Sequence, residues 1–412
     1  MNNVLEEFNQ STVFSDEFFE GVYQACMKDN NLTKAFLDKA EAVGRYETFN
    51  KAYDSFLIRK SIKEIEKPEK KKKSLHYSTA KELLEADLPP TEYIVDVIIA
   101  KGLVVLSAKS KIGKSWLALQ LALSVTSGND FLGFNTTQGG VLYIDLENTA
   151  ALTQARLIKL LDGAAPPDNL IITNDYSTMN DTFMEDLAEY LEEHKDISLV
   201  IVDVFQKIKK AKKANQSDYE DIYNSFVPLK ELADKYNISL MLIMHNRKMT
   251  DTTDPFSNVL GSTAIMGASD EMMVIHKKER KDAEATLSIT GRTVSGGDYA
   301  IRFNAPICKW EMIGNAEEVQ EKRNREEYEN TPVIKAVKRL VDKGGGTYSG
   351  TITEIISASK YMQGCAIYQS PQKCGRDLKK YSKKLADYDA IIHTDGGHGT
   401  AAGKHKFERV FV

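Results

Sequence analysis

An apolar strand, a glycine-containing loop and an apolar helix follow one another directly, and no other part of the chain constrains the fold as tightly. The run Leu103–Leu106 is typical of a short buried strand, and Trp116–Leu123 is typical of a helix that ends near Gly128. Between them lies the loop Ala108-Lys-Ser-Lys-Ile-Gly-Lys-Ser115. This succession predicts a phosphate-binding loop (P-loop) in an α/β fold.

The loop supplies the groups that bind nucleotide phosphates. In the pattern GxxxxGK[ST], backbone N–H groups and the helix N-terminus surround the phosphates, the lysine neutralises charge and the hydroxyl ligates Mg²⁺. Lys114 and Ser115 fill the last two roles, whereas Ala108 replaces the first glycine and adds a methyl group at the entry turn. We therefore predict ATP and Mg²⁺ as cofactors. The predicted cofactor-binding residues are Ala108, Lys109, Ser110, Lys111, Ile112, Gly113, Lys114, Ser115 and Trp116, and Ser115 is also a predicted metal ligand.

Short apolar runs separated by helical lengths continue beyond the loop. The runs are Val141–Ile144, Leu199–Val202, Leu240–Met244 and Met272–Ile275, followed by an alternating run, Ala285–Thr290. Buried strands that alternate with helices are typical of a parallel sheet covered on both faces. We therefore predict an α/β fold with a parallel-rich sheet.

Two carboxylates follow these runs at the edge where open parallel sheets bind ligands. Asp203 directly follows Leu199–Val202, and we predict that it binds the metal. Glu147 follows the strand that contains Tyr143, and a carboxylate there can polarise a water molecule in line with the γ-phosphate. The alternative is that Glu147 only stabilises a helix N-terminus through the helix dipole.

The composition is that of a soluble globular protein. Hydrophobic residues make up 42% and charged residues 27% of the 412 residues, values that argue against disordered, collagen-like and membrane classes. The apolar runs fall far short of the roughly 20 residues that a spanning helix needs. The start, Met1–Glu7, lacks the basic and apolar regions of a secretory signal, so we expect a cytoplasmic protein without a membrane partner. The four cysteines lack CxxC spacing, which is typical of reduced structural thiols.

The chain is long enough for two or three domains, and its patterning suggests where they divide. The run Lys67-Pro-Glu-Lys-Lys-Lys-Lys73 interrupts helical patterning, because proline breaks a helix and clustered like charge resists packing. The predicted segments are a helical N-terminal domain (1–66), a basic linker (67–77), a P-loop ATPase domain (78–316), a charged helical connector (317–330) and a basic domain (331–412).

The order of motifs between Ser78 and Asn304 resembles that of the RepA-like replicative helicases, a group of RecA/DnaB-type ATPases. The motifs are the P-loop, Leu146-Glu-Asn148, the strand before Asp203, Met244-His-Asn-Arg-Lys248, Gly261-Ser-Thr-Ala264 and Gly267-Ala-Ser-Asp270. The resemblance implies a RecA-like P-loop NTPase core, with Asp203 positioning Mg²⁺, Glu147 as catalytic base and His245 as γ-phosphate sensor. The family pattern has a second histidine beside this one, whereas methionine and asparagine flank His245 here. A purely structural histidine is the alternative.

The resemblance also implies a homo-oligomeric ring, a hexamer, in which a basic finger from the neighbouring subunit completes each ATP site. Arg292, at the end of the alternating strand, has a position similar to that of the family's finger. Arg280 and Lys278 are competing candidates, and a solvated surface arginine is the alternative interpretation of Arg292.

Basic residues follow two of the predicted strands and form candidate nucleic-acid contacts. Five lysines occur within seven residues after Asp203, namely Lys207, Lys209, Lys210, Lys212 and Lys213, and Arg247 and Lys248 follow His245. Such side chains bind backbone phosphates without reading sequence, so we predict single-stranded DNA as a partner. A solvated loop is the alternative for the lysine run.

The C-terminal segment 331–412 is strongly basic. It holds fourteen lysines and arginines and seven acids, so its net charge is +7 while the rest of the chain is −12. Three predicted helices, Val333–Asp342, Thr351–Ser359 and Pro371–Leu385, precede two predicted strands, an order that is typical of a winged helix. Lys379, Lys380 and Lys383 on the third helix are predicted DNA contacts, with origin duplex as a candidate partner. Protein binding is the alternative for this domain.

Taken together, these patterns predict an ATP-dependent DNA helicase or translocase that acts in the replication of a plasmid, phage or other mobile element. The alternative is an ATP-controlled DNA-binding regulator or helicase loader that does not unwind DNA.

Overall fold

The chain forms two compact units, 1–88 and 89–412. The computed structural model describes residues 19–20, 22–23, 41, 47, 51–57, 77–174, 182–209, 212, 216–246, 254–259, 262–360, 368, 370–395 and 403–410. In the first unit, helix α1 (Ala80–Glu85) begins at a capping box, in which Thr79 and Glu82 bond each other's backbone N–H groups. Most of the predicted helical domain, and the predicted linker up to residue 76, lie outside the described residues.

A mixed sheet organises the second unit as far as residue 315. Its strands and a preceding hairpin are β1 (Tyr93–Val95), β2 (Ile99–Ala100), β3 (Gly102–Ala108), β4 (Gly140–Asp145), β5 (Leu170–Thr173), β6 (Ile197–Asp203), β7 (Ser239–His245), β8 (Glu271–His276), β9 (Glu284–Gly291), β10 (Gly297–Asn304) and β11 (Lys309–Asn315). Within the described residues, nine strands form one sheet in the order β11-β10-β9-β8-β3-β7-β6-β4-β5. The strands from β8 to β5 in this order are parallel, and β9 to β11 are antiparallel. The predicted parallel-rich α/β fold is therefore confirmed.

Helices cover both faces of the sheet, and this explains why its central strands are continuously apolar. The helices are α2 (Lys114–Ser127), α3 (Ala150–Leu161), α4 (Phe183–Glu193), α5 (Asp218–Tyr236) and α6 (Ser262–Ala268). Successive side chains of a strand point to opposite faces. Val104 and Leu106 of β3 pack in the cluster that contains α2, whereas Leu103 and Val105 pack in the cluster that contains α4 and α5. Every position of β3 is consequently buried.

The carboxyl ends of the parallel strands bring the predicted site residues to one edge. In the register of the sheet, Ala108 of β3 lies opposite His245 of β7, and Asp145 of β4 lies opposite Asp203 of β6. Because β3, β7, β6 and β4 are consecutive in the sheet, these four residues form a row. The strand order thus joins motifs that are far apart in the sequence.

Helices and a small antiparallel sheet make up the C-terminal part of the second unit. The elements are α7 (Ala316–Asn330), α8 (Pro332–Lys343), β12 (Thr347–Gly350), α9 (Ile352–Ser359), α10 (Pro371–Asp389), β13 (Ile391–Thr394) and β14 (His405–Arg409). The sheet order is β12-β14-β13, and Val337, Leu378 and Phe407 lie in the core between helices and sheet. Helix α7 contacts both this core and the large sheet, since Tyr328 is buried among the C-terminal helices and Arg323 pairs with Glu284 of β9 at 2.8 Å. Among the described helices, none combines the length and the apolar character needed to cross a bilayer.

Candidate nucleotide-binding site

The P-loop connects β3 to α2 through a backbone conformation that favours glycine. Gly113, the N-cap of α2, has a φ of +112°, in the left-handed region. A Cβ atom at this position would lie 3.1 Å from Cζ2 of Trp310. Any other residue at position 113 would therefore be strained by its own backbone and crowded by the indole ring. The predicted loop and helix N-terminus are where the sequence placed them.

Ala108, the departure from the consensus, is still part of the strand. It is the last residue of β3, is fully buried and pairs in parallel register with His245. Its carbonyl oxygen accepts hydrogen bonds from the backbone N–H of Asn246 at 3.1 Å and from Nζ of Lys114 at 3.1 Å. A strand conformation accommodates a Cβ atom, so the methyl group does not strain the entry to the loop.

The amino group of Lys114 is held inside the loop. The side chain is 5% exposed, and Nζ donates to the carbonyls of Ala108 at 3.1 Å and Lys109 at 3.3 Å. Burial lowers the pKa of Lys114 to about 8, and this effect outweighs the opposing charges of Asp203 and Glu147. A bound anion of high charge would restore the ammonium form, which is the behaviour expected of a phosphate-binding lysine.

We expect nucleotide binding to take up protons near pH 8. With a pKa of about 8, roughly half of the Lys114 side chains are neutral there, and phosphate charge favours the protonated form, so binding takes up about half a proton. The uptake should be smaller near pH 7, where Lys114 is already mostly protonated. Titration calorimetry in buffers of different ionisation enthalpy measures the uptake directly. An uptake that does not rise from pH 7 to pH 8 would contradict the assignment.

Asp203 is a buried carboxylate with unused hydrogen-bonding capacity. It is 1% exposed, its Oδ2 accepts a hydrogen bond from the Tyr143 hydroxyl at 3.0 Å, and its Oδ1 is buried without a donor of good geometry. Burial raises the pKa of Asp203, and the nearby carboxylate of Asp145 adds to the increase. The hydroxyls of Ser115 and Tyr143 act in the opposite direction. A divalent cation would supply the positive charge that this carboxylate lacks.

The loop that carries Glu147 is held by the neighbouring carboxylate, Asp145. The Asp145 side chain is buried, and its oxygens accept from the backbone and side-chain N–H groups of Asn148 at 3.1 and 2.9 Å and from the Thr153 hydroxyl at 2.6 Å. The backbone N–H of Glu147 donates to the carbonyl of Asp203 at 3.2 Å. Asp145 is thus fully bonded within the protein, whereas the Glu147 side chain is 47% exposed and accessible to water.

His245 lies between the lysine and the glutamate. Its Nδ1 is 3.0 Å from Nζ of Lys114, and its Nε2 is 3.8 Å from Oε2 of Glu147. Burial lowers the pKa of His245, the Lys114 charge lowers it further, and Glu147 opposes both effects. The ring is therefore neutral at pH 7. Because an ammonium group can only donate, Nδ1 accepts from Lys114, and the ring proton resides on Nε2, which faces Glu147.

These residues fit a nucleoside triphosphate with Mg²⁺. The helix N-terminus and Lys114 suit the phosphates, and the buried, incompletely bonded Asp203 lies beside the Ser115 hydroxyl, so that the two could hold the metal together. When bound, Mg²⁺ bridges phosphate oxygens and neutralises the charge that develops during phosphoryl transfer.

Arg292 lies at the edge of the sheet opposite the P-loop. Strand β9 runs antiparallel to β8, so its end, Gly291, pairs with Glu271 at the start of β8. The Arg292 side chain is 54% exposed, Nη2 donates to the carbonyl of Gly267 at 2.9 Å, and Nη1 is 3.6 Å from Oδ1 of Asp270. Arg292 therefore does not join the P-loop of its own chain, and a catalytic role for it requires a second copy.

The competing cations lie on the P-loop side of the sheet, after β8. Lys278 and Arg280 are both exposed, and Lys278 lines a cavity of about 480 Å³ together with Glu284 and Arg323.

The predicted DNA-binding lysines after Asp203 are partly paired with acids. Nζ of Lys209 contacts the largely buried carboxylate of Asp221, and Nζ of Lys212 is 2.6 Å from Oδ1 of Asp218, while Lys207 is exposed. Both acids belong to the first turn of α5. DNA phosphates would have to compete with these ion pairs. Lys210, Lys213, Arg247 and Lys248 lie outside the described residues.

The basic residues of α10 form a face opposite its buried face. Lys379 and Lys383 are exposed, whereas Leu378 lies in the core. Lys380 is also exposed, but its Nζ donates to Oε1 of Glu327 on α7 at 2.8 Å. Lys379 and Lys383 are thus available to a ligand, and Lys380 is engaged with α7.

Three side chains at the site were not selected by sequence reasoning: Tyr143, Arg156 and Trp310. Tyr143 donates to Asp203 from within an apolar strand, and its polar tip was the only signal. The Arg156 guanidinium lies 5.5 Å from the Trp116 ring centroid, and its Nη1 is buried with no hydrogen-bond partner among the described residues. Trp310 reaches Gly113 from β11, and no local pattern indicates that contact.

Comparisons with known proteins agree with a nucleotide-binding core. Residues 69–251, somewhat less than half of the chain, match a family model described as an AAA domain. A solved structure of an ATPase domain aligns with a TM-score of 0.41 and 14% identity over 51% of this chain and 84% of that chain, a likeness too weak to support an argument. No curated relative matches the chain. The matched AAA domain and the P-loop geometry together make the core of this chain a P-loop ATPase domain, which implies nucleotide binding.

Proposed function

We propose that this chain is an ATP-dependent DNA helicase or translocase of the RepA-like type, which acts as a homohexameric ring on single-stranded DNA during plasmid, phage or other mobile-element replication. The convergence of five side chains at one edge of the sheet supports the proposal: Lys114, Ser115, Glu147, Asp203 and His245.

The arrangement suits hydrolysis of a phosphoanhydride. Lys114 and the N-terminus of α2 would hold the phosphates, and the carboxylate of Glu147 would take a proton from the attacking water as the bond to the leaving diphosphate breaks. The ring of His245 lies within 3.8 Å of Glu147 and 3.0 Å of Lys114, so it links the phosphate-binding side of the site to the base. This position would let His245 respond to the presence of the γ-phosphate.

A ring would place a basic residue of one copy in the ATP site of the next. Arg292 is half-exposed and points away from the P-loop of its own chain, as a residue that acts on a neighbour would. Lys278 and Arg280 remain alternatives, because both are exposed near the P-loop edge.

Two basic surfaces would bind DNA. The segment that follows Asp203 would contact single-stranded backbone phosphates through Lys207 and, after release from Asp221 and Asp218, through Lys209 and Lys212. The order α8-β12-α9-α10-β13-β14 supports a winged-helix assignment for the C-terminal domain, with the basic face of α10 against duplex DNA.

We expect a triple variant of α10, Arg376→Ala/Lys379→Ala/Lys383→Ala, to weaken duplex binding by lowering the number of phosphate contacts. Each lost contact lowers the slope of log affinity against log salt by about 0.9, so the slope should fall by about 2 to 3. Fluorescence anisotropy over a range of salt concentrations measures it. The matched control is Lys335→Ala/Arg339→Ala/Lys343→Ala on α8, which removes the same charge from another helix and should change the slope by less than about 1. Equal slopes for the two variants would remove α10 from the interface.

The second candidate function is an ATP-controlled DNA-binding regulator or helicase loader. The basic face of α10, which is separate from the ATP site, favours it, because recognition and hydrolysis could be uncoupled. Unwinding of a forked duplex separates the two functions. ATP-dependent strand separation that is lost in Lys114→Met supports the helicase, whereas duplex binding with hydrolysis and no strand separation supports the regulator.

A further inference from the structure

The indole of Trp310 is hydrogen-bonded to the P-loop. Its Nε1–H donates to the carbonyl oxygen of Gly113 at 3.1 Å, although the two residues lie 197 positions apart. The same carbonyl also accepts the backbone N–H of Leu117 at 3.1 Å, the first hydrogen bond of α2. Both acceptor positions of this oxygen are therefore used, and its direction is fixed from two sides.

The direction of that carbonyl determines where a phosphate-facing N–H group points. In a planar trans peptide, the C=O of Gly113 and the N–H of Lys114 point in opposite directions. The N–H of Lys114 belongs to the first turn of α2, whose N–H groups have no partner within the helix and are the donors that a P-loop offers to phosphate. A rotation of the Gly113–Lys114 peptide would turn this donor away from the phosphate.

Trp310 is itself held firmly. The side-chain amide of Gln120 on α2 bonds its backbone twice, accepting from the N–H of Trp310 at 2.8 Å and donating to its carbonyl at 2.9 Å. The ring is 1% exposed, packs edge-on against Phe303 with centroids 5.2 Å apart, and lies 5.2 Å from Nζ of Lys277. The indole is thus fixed relative to the same helix whose N-terminus it orients.

We propose that Trp310 is a positioning residue of the nucleotide site, which acts through the Gly113 carbonyl to aim the backbone N–H of Lys114 at the bound phosphate. The proposal rests on ATP binding at the P-loop, as the proposed function requires. It extends the site to β11, beyond residue 251, where the AAA match ends.

The test removes the hydrogen bond and keeps the ring. Replacement of Trp310 by 3-benzothienylalanine puts sulfur in place of the N–H with little change of shape, and Trp310→Phe is the genetically encoded counterpart. Because one hydrogen bond to a phosphate-orienting group is lost, we expect the Kd for ATP with Mg²⁺ to rise about three- to tenfold in both variants. The thermal midpoint of the 3-benzothienylalanine protein should stay close to that of the parent.

A matched control separates packing from orientation. Phe303→Leu disturbs the contact with the indole ring but leaves the N–H donor in place, so the Kd for ATP should change less than about twofold. The chain has two tryptophans, so in Trp116→Phe the fluorescence comes from Trp310 alone, and it should change when ATP with Mg²⁺ is added.

The outcomes distinguish the two proposals. If the parent binds and hydrolyses ATP while the 3-benzothienylalanine protein binds it as tightly as the parent, Trp310 has no positioning role and the proposed function stands. A Kd that rises equally in Phe303→Leu would also overturn the proposal, because packing would then explain the loss. A parent that binds no nucleotide overturns both.

Discussion

Nucleotide affinity falls at least about 100-fold when Lys114 is replaced with methionine. The ammonium group is the buried positive charge of the loop, and no other described side chain can replace it from outside, since Lys109 and Lys111 are exposed. Methionine has a similar length and no charge, so it should fit the space without leaving an unpaired polar group. Burial lowers the pKa of Lys114, which means that the folded protein disfavours this charge, and the variant should therefore be no less stable than the parent.

Lys109→Met provides the matched control, because it removes the same charge from an exposed position of the same loop. It should change the Kd for ATP by less than about threefold, in keeping with the small effect of exposed charges. Titration calorimetry for binding and a thermal scan for stability distinguish the outcomes. If Lys114→Met binds ATP as the parent does, the P-loop assignment is wrong, and the metal, the base and the ring lose their foundation.

Glu147→Gln should abolish most hydrolysis while ATP binding persists. The amide keeps the shape of the side chain but cannot take a proton from water, so kcat should fall by about 10²- to 10⁴-fold. Binding should change little because Glu147 is 47% exposed and reaches the site through His245 rather than through the loop. Its backbone N–H bond to Asp203 is unaffected by the change, so the loop keeps its position. Steady-state phosphate release and equilibrium binding of ATP measure the two effects separately.

Glu189→Gln serves as the control, since Glu189 is an exposed acid of α4 and is not among the site residues. Its kcat should equal that of the parent. If Glu147→Gln hydrolyses ATP at the parent rate, then Glu147 only stabilises the helix N-terminus that follows it, and another group must activate water.

Local patterns predicted the elements whose side chains are buried on both faces. Strands β3, β4, β6, β7 and β8 lie where continuous apolar runs were found, because a strand covered on both sides has no polar positions to blur the signal. Strands β10 and β11 were not predicted, since exposed and half-buried positions such as Asp298 and Glu311 interrupt their apolar pattern. The edge strand β5 was missed for the same reason.

Residues of the site were predictable where chemistry and position in a motif coincide. Lys114 and Ser115 follow a glycine at the start of a helix, and Asp203 and Glu147 follow apolar strands, so each could be selected without a structure. The pairing of Lys209 with Asp221 was not predictable from a run of lysines, because it depends on where α5 begins in space. The position of Arg292 likewise depends on β9 running antiparallel to β8.

By itself, the sequence determined the phosphate loop, the parallel strands beside it and the identity of the carboxylates, because each of these depends on residues close together in the chain. Tertiary structure alone decided that His245 lies between Lys114 and Glu147, and that Trp310 is hydrogen-bonded to Gly113. The physical reason is the strand order. Hydrogen bonding between β3, β7, β6 and β4 sets which carboxyl ends are neighbours, and packing of β11 against α2 sets which side chain reaches the loop.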